Sequence, residues 1–502
     1  MKLIPVIGLE THVQLKTRTK LFCSCATNSD NAPVNTNVCA ICLGHPGTLP
    51  VLNEEALRFA VMLATALNGN VAPHSKFDRK HYFYPDLPKA YQISQFDLPV
   101  MTEGYVDLDL LDAKGTPRIG LERMHLEEDA AKNIHGDDGK TYVDFNRAGT
   151  PLCEIVTRPD FRSAVEAKAY LQELRLLVRT LGISDGDMEK GQLRCDVNIS
   201  LREADDDGNF TGPLNTKTEI KNINSFRHVE RAIAYEIQRQ TKLWDAGTPP
   251  TATTTRGWND TAQRTDEQRT KEDAADYRFF PEPDIPPLDL SPIVADVRAR
   301  MPELPAAKRA RFADEYGMKR EDVRQIIDDP NLANFAEAAL SELGAWLEAQ
   351  PDVTSETVDA EKKKLMKLFT SWLLNKLPGL LTERGSDIRV AKLTPENFAE
   401  FVVMLSTGRL TGPKGLEVLA RMLDDGADPE HAMTEMGAKR VDDVVALRTI
   451  IDSVLAENPD EASRYKAGEK KLAAFLLGQI MKATQGNADP SLAAKVLNEA
   501  LQ

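Results

Sequence analysis

Leu9-Glu10-Thr11-His12-Val13-Gln14-Leu15, near the start of the 502-residue chain, sets apolar residues against polar ones with a period of two. That period is the signature of a half-buried strand, because successive side chains leave a pleated backbone on opposite faces. Glu10, His12 and Gln14 share one face, and Leu9, Val13 and Leu15 share the other. The apolar side needs a core. The other side presents a carboxylate and an imidazole two residues apart, a spacing suited to a divalent metal, although a solvated polar face would look the same.

The pattern recurs in Arg194-Cys195-Asp196-Val197-Asn198-Ile199-Ser200-Leu201-Arg202 and in Lys217-Thr218-Glu219-Ile220-Lys221. Acids, amides and cations packed on such faces are the chemistry of a Mg-nucleotide site: carboxylates for the ion, cations for the phosphates. Arg123-Met124-His125-Leu126-Glu127-Glu128-Asp129 adds three adjacent acids, which repel one another unless a cation sits among them or a helix dipole favours them. Glu154 follows the turn at Asn146-Arg147-Ala148-Gly149-Thr150-Pro151 and is a further candidate ligand.

Strands come in bunches separated by turn-rich loops, so the expected class is α+β with a mainly antiparallel sheet. A helical stretch covers residues 162–181, and residues 203–215, acidic with Gly and Pro, suit a hairpin loop. Residues 247–276 are poor in apolar side chains and read as a long mobile loop. Four prolines within Phe280-Pro281-Glu282-Pro283-Asp284-Ile285-Pro286-Pro287 exclude helix and central strand there and mark a boundary. Beyond it the pattern is helical to the end. Prolines 302, 305, 330, 351 and 378 punctuate it, and a second break lies at residues 406–415. Gly486 and Asn487 can stop one late helix, and Asp489-Pro490 supplies an N-cap and first-turn proline for the next. The expected division is 1–292, 293–405 and 406–502.

The chain carries 42% hydrophobic and 28% charged residues and a net charge of −15. That balance excludes coating nucleic acid through general basicity, and any RNA contact must be local. No apolar run approaches the roughly 18 residues of a membrane span. Residues 1–14 hold an acid and a histidine where an export signal would be apolar, so the expected location is cytoplasmic. Neither a Walker loop nor G-x-G-x-x-G is present, nor the G-x-S-x-G of a serine hydrolase. A nucleotide would lie on the sheet surface instead.

Of six cysteines, Cys23 and Cys25 form Cys-x-Cys, and after thirteen intervening residues Cys39 and Cys42 form Cys-x-x-Cys. Two close thiol pairs can complete a tetrahedral, structural zinc knuckle over residues 23–42. Lys76-Phe77-Asp78-Arg79-Lys80-His81-Tyr82-Phe83-Tyr84-Pro85-Asp86 mixes charge with stacking surface and suits a nucleotide or an RNA end. Residues 464–482 hold five Lys/Arg against the single acid Glu469, a local patch fit for tRNA phosphates.

These residues resemble the GatB/GatE family, the B subunits of glutamyl/aspartyl-tRNA amidotransferases. The likeness rests on Val6-Ile7-Gly8-Leu9-Glu10-Thr11-His12, Leu43-Gly44-His45-Pro46-Gly47, Phe77-Asp78-Arg79-Lys80 and Tyr82-Phe83-Tyr84-Pro85-Asp86. It continues through Lys89-Ala90-Tyr91-Gln92-Ile93-Ser94-Gln95, Leu126-Glu127-Glu128-Asp129-Ala130, Gly191-Gln192-Leu193-Arg194-Cys195-Asp196-Val197-Asn198-Ile199-Ser200 and Asp276-Tyr277-Arg278-Phe279-Phe280-Pro281-Glu282-Pro283-Asp284. Ala131 stands where the family often has Gly, and Cys153 where an aliphatic is usual. The resemblance implies a cradle catalytic domain related to glutamine synthetase, then a helical domain and a YqeY-like tail. It implies a carbon–nitrogen ligase acting on Glu-tRNA(Gln), Asp-tRNA(Asn) or both, with an amidase subunit and a small bridging subunit as partners in a heterotrimer.

On this reading Glu10, His12, Glu127, Glu128 and Glu154 hold Mg²⁺ for ATP. Lys80, Arg158, Lys217 and Lys221 neutralise phosphate. Asp196 and Asn198 orient water or the ribose, and Tyr84 adds stacking surface. Cys23, Cys25, Cys39 and Cys42 hold Zn²⁺, and Arg464, Lys466, Lys470 and Lys471 meet tRNA. A non-catalytic tRNA-binding scaffold and a stand-alone amide ligase for a free amino acid are the competing classes.

Overall fold

A computed structural model describes residues 2–111, 115–270, 276–349, 355–437, 444–484 and 487–501. The chain divides into two compact units, residues 1–305 and 306–502.

The first unit is built on a ten-stranded sheet. Its main path runs Arg264–Thr270, Thr254–Asn259, Thr218–Lys221, Leu193–Ala204, Lys2–Gln14, Pro151–Thr157, Arg118–Glu128, Met101–Thr102 and Asn70–Val71, with Tyr105–Asp107 pairing the Arg118–Glu128 strand. Neighbours are antiparallel apart from Thr218–Lys221 and Thr254–Asn259, which run parallel. The helix Phe226–Asp245 makes that crossover, as a parallel pair requires. The expected α+β class, sheet-rich first and helical afterwards, is what the structure shows.

Alternation along the first strand fixes which side is covered. Ile7, Leu9, Val13 and Leu15 are each at most 1% exposed and share a core with Tyr170, Leu171 and Leu174 of the helix Ala164–Thr180. A one-residue slip would drive Glu10 and His12 into that core, so the register is strongly specified. Ser163 caps the helix by accepting from the Glu166 amide. The helix Ser291–Arg300 packs with the first unit, where Val297 joins the same core.

The reading of residues 247–276 as a mobile loop is corrected. Thr254–Asn259 and Arg264–Thr270 are strands of the main sheet, while residues 271–275 lie outside those described. The apolar signal is weak because threonines do the packing. Thr255 and Thr265 are 1% exposed and donate to Glu219 and the buried Glu236. After the Leu193–Ala204 strand, Asp205 and Asn209 close the hairpin loop expected at 203–215.

The second unit is helical. Prolines stand in the first turn of Pro330–Glu348, Leu377–Glu383, Pro395–Ser406, Gly412–Asp425, Pro429–Glu435 and Pro459–Lys466, where a missing N–H is harmless. Pro305 opens the helix Pro305–Tyr316, and Pro351 lies outside the described residues. Phe335, Phe369, Trp372, Phe398 and Phe401 pack ring against ring in one core, mostly tilted or edge-on, with Phe398 and Phe401 stacked. Leu447, Ile451, Leu476, Ile480, Val496 and Leu497 form another. Asp489 accepts from the Leu492 amide at 2.8 Å and caps Pro490–Leu501, as expected. Gly486 lies outside the described residues. No described helix is long and apolar enough to cross a membrane.

Candidate active site

The polar face of the sheet is assembled by register. His12 stands opposite Glu154 on one neighbouring strand and Arg194 on the other, and Glu10 stands opposite Asp196. Glu154 in turn stands opposite His125. Period-two geometry then places Glu127 on the same face as His125. Separate strands thus contribute one side chain or two each to a single cluster.

The contacts are short. His12 Nε2 lies 3.3 Å from Glu154 and 3.6 Å from Glu127. His125 Nε2 lies 3.2 Å from Glu127 and 3.4 Å from Glu154. Ligand atoms of Glu10, His12 and Glu154 fall within 4.8 Å of one another, as do those of His125, Glu127 and Glu154. Glu154 belongs to both triads. Ser94 Oγ donates to Glu127 at 3.0 Å and fixes that carboxylate.

Charge balance follows from burial. Burial by itself pushes His125 down, but Glu154 and Glu127 outweigh it and lift the imidazole to about 9. His12 is likewise pushed down by burial and carried above its ordinary value by Glu154 and Glu127. Burial raises Glu154, yet His125 and His12 hold it well below the usual carboxylate range. Burial and Glu154 raise Glu127, and His125 brings it below its ordinary value. Glu10 is raised by burial and by the charge of Glu154. Imidazolium charge thus compensates the carboxylates where a divalent ion would do so, and the donor set fits such an ion.

Asp196 and Lys221 pair beside Glu10, and Lys221 Nζ also lies 3.3 Å from Glu219. Lys80 sits over the rings of Tyr82 and Tyr277, 5.7 and 5.0 Å from their centres, and its charge reaches Glu127. Asn198 and Lys217 line a groove of about 280 Å³ with Gly8, Val156 and Leu214, next to the acid cluster on the same face. Within it Asn198 Oδ1 is buried and, among the described residues, has no hydrogen-bond partner.

Other residues fall elsewhere. Glu128 leaves the strand on the face opposite Glu127, pairs with Lys89 and accepts from the Ile93 amide at 2.9 Å. Arg158 is half-exposed, 3.7 Å from Glu103. Tyr84 is exposed, its ring centre 6.1 Å from that of Tyr82. His125, which stands in the acidic run without an expected ligand role, is the residue the sequence reading missed. Treating that run as a strand would have paired it with Glu127.

The thiols of Cys23, Cys25, Cys39 and Cys42 lie within 4.8 Å of one another, and all are free of disulfides. Four sulfurs this close suit one tetrahedral ion with bonds of about 2.3 Å. The hydrogen bond from Cys23 holds Cys42 down at about 4, with help from Lys20. Burial raises Cys25 to about 11. Cys153 and Cys195 are buried apart from this group.

Residues 5–296 match the profile of the GatB/GatE catalytic domain, and residues 352–501 match that of the GatB domain. The chain belongs to the GatB/GatE family. Among its relatives is the B subunit of aspartyl/glutamyl-tRNA(Asn/Gln) amidotransferase from Rippkaea orientalis, 45% identical over 508 residues, which span 99% of this chain and 97% of the relative. The corresponding protein of Persephonella marina is 45% identical over 503 residues, spanning 100% of both chains. That of Picosynechococcus sp. is 44% identical over 509 residues, 99% and 97% of the two chains.

In this GatB/GatE-family chain the tail cations gather at one turn. Arg464 and Lys466 end the helix Pro459–Lys466, and Lys470 and Lys471 precede Leu472–Ala483. All four are exposed. Arg464 pairs with Glu469 at 2.7 Å, and Lys470 Nζ lies 4.3 Å from the Tyr465 ring centre.

Proposed function

We propose that this chain uses ATP to activate the side-chain carboxylate of Glu-tRNA(Gln), Asp-tRNA(Asn) or both, so that ammonia can convert it to an amide. The observation that carries this reading is the pair of carboxylate–imidazole triads sharing Glu154 on one sheet face. Family membership and the activity for which the relatives are named support it.

A carboxylate is a poor electrophile because its charge repels nucleophiles. Phosphorylation forms a bond from its oxygen to the γ-phosphorus of ATP and releases ADP. Ammonia then attacks the acyl carbon, and phosphate leaves. Catalysis of the first step is positioning and charge neutralisation. Glu10, His12, His125, Glu127 and Glu154 would hold Mg²⁺, which when bound neutralises phosphate charge. Lys221 and Lys217 add positive charge on the same face, and Lys80 does so at its Glu127 end. The groove at Gly8, Asn198 and Lys217 suits a nucleoside, with Asn198 Oδ1, unpartnered among the described residues, offering an acceptor. The four cysteines would hold a structural zinc ion.

The cradle related to glutamine synthetase, the division at 292 and 405, and the tRNA role of the tail belong to the same reading. So do an amidase subunit that supplies ammonia, a small bridging subunit and a cytoplasmic location. The deciding experiment measures ATP hydrolysis by the assembled enzyme with Glu-tRNA, Asp-tRNA or free glutamate. Hydrolysis should depend on the aminoacyl-tRNA and vanish in Glu10→Ala and His12→Ala. Turnover on free glutamate would point to the small-molecule ligase. tRNA binding without any turnover would point to the scaffold.

A further inference from the structure

Lys20 is a fully buried lysine, 0% exposed, placed on the cysteine loop. Its backbone amide donates to Cys25 O at 2.9 Å, and the neighbouring Thr19–Ala26 bridge closes the turn that carries Cys23 and Cys25. Its Nζ donates to Asn37 O at 2.8 Å and to Phe145 O at 3.3 Å, and lies 3.6 Å from Cys42 Sγ. Among the described residues it forms no ion pair with a carboxylate. Glu128, which lines the same small cavity, is already paired with Lys89.

A buried ammonium needs a negative partner, because carbonyl oxygens solvate it without cancelling its charge. Of the groups that meet Nζ, two are carbonyl oxygens, and the Cys42 sulfur is the one that can carry negative charge. Four thiolates around a divalent ion carry a net negative charge, and Cys42 brings that charge to Nζ. We infer that Lys20 is a positioning residue for the four-cysteine metal centre: its ammonium neutralises part of the tetrathiolate charge and pins the loop to the Phe145 carbonyl. This rests on the zinc reading above and goes beyond it, since four cysteines alone say nothing about a charged partner.

The tie has reach. Asn37, which accepts from Lys20, donates its amide to Asn146 Oδ1 at 2.8 Å, and Asn146 donates to Pro33 O at 2.7 Å. Leu21 N donates to Gly149 O at 2.8 Å. The loop thereby grips the segment that leads into the Glu154 strand.

The test uses the full-length chain as purified. Zinc content is measured first, and zinc release to excess chromophoric chelator is then timed for wild type, Lys20→Met and Lys20→Arg. Lys20→Met keeps the length and removes the charge, and should release zinc roughly 10- to 100-fold faster, the usual effect of losing a partner that supports metal ligands. Lys20→Arg keeps the charge and should stay close to wild type. Release from Lys20→Met at the wild-type rate, or equal loss in both variants, would overturn the charge role. If Lys20→Met fails to fold by circular dichroism, the Arg variant decides alone. Wild type without zinc would overturn the zinc reading and this inference together.

Discussion

Glu154 and His125 face each other across neighbouring antiparallel strands, the carboxylate 3.4 Å from Nε2. Glu154 also meets His12 at 3.3 Å from the other side, so one carboxylate serves two candidate metal triads. Glu154→Gln should therefore weaken both triads at once, whereas His125→Ala should weaken one. Manganese titration followed by electron paramagnetic resonance counts the sites. Amide formation should fall roughly 100-fold or more in Glu154→Gln, since an immediate ligand matters at least as much as its supports. Undiminished metal binding in that variant would remove the shared-carboxylate assignment.

Metal binding should compete with protons. In the metal-free cluster His125 is lifted to about 9 and so carries a proton at neutral pH, and Glu154 and Glu127 raise His12 in the same direction. A divalent ion must displace protons from the imidazoles it binds. Affinity should then rise with pH, by up to about tenfold per unit for each displaced proton, until the raised values are passed. The sign is fixed: acid weakens binding. Titrations that give one affinity from mildly acidic to mildly alkaline buffer would show that the histidines are not displaced.

Glu127 and Glu128 are adjacent in sequence and opposed in space. Glu127→Gln should impair metal binding with little effect on folding. Glu128→Gln should spare metal binding but strip Lys89 of its buried partner, and lower stability by about 1–3 kcal/mol. Urea unfolding beside metal titration separates the two. Equal metal loss in both variants would mean that the strand does not alternate as described.

This pair also shows where the sequence can be read and where it cannot. Alternation is legible along 194–202, where apolar and polar residues take turns strictly, and at Leu9–Leu15, where the buried Thr11 is the one polar residue on the apolar face. The run at 123–129 hides its period behind three consecutive acids. Three charges in a row read as charge density rather than as faces, which groups Glu128 with Glu127 and passes over His125. The strands Thr254–Asn259 and Arg264–Thr270 are illegible for another reason. Their buried positions include threonines bonded to Glu219 and Glu236, and such packing leaves no hydrophobic trace. The cysteine spacing carries its information whole, because two short thiol pairs need only a loop to meet.

The last prediction concerns the tail. Arg464, Lys466, Lys470 and Lys471 cluster at one exposed turn, but Arg464 is already engaged by Glu469. Lys466, Lys470 and Lys471 are the stronger candidates for phosphate contacts. Lys470→Glu with Lys471→Glu should weaken tRNA binding and flatten its dependence on salt by roughly one unit of slope per lost contact. Because the acid cluster lies in the other unit, turnover at saturating aminoacyl-tRNA should change little. Such a split, KM raised with kcat kept, marks the loss of binding that is equal in ground state and transition state. A fall in kcat with an unchanged salt slope would place the tail's effect elsewhere than on phosphate.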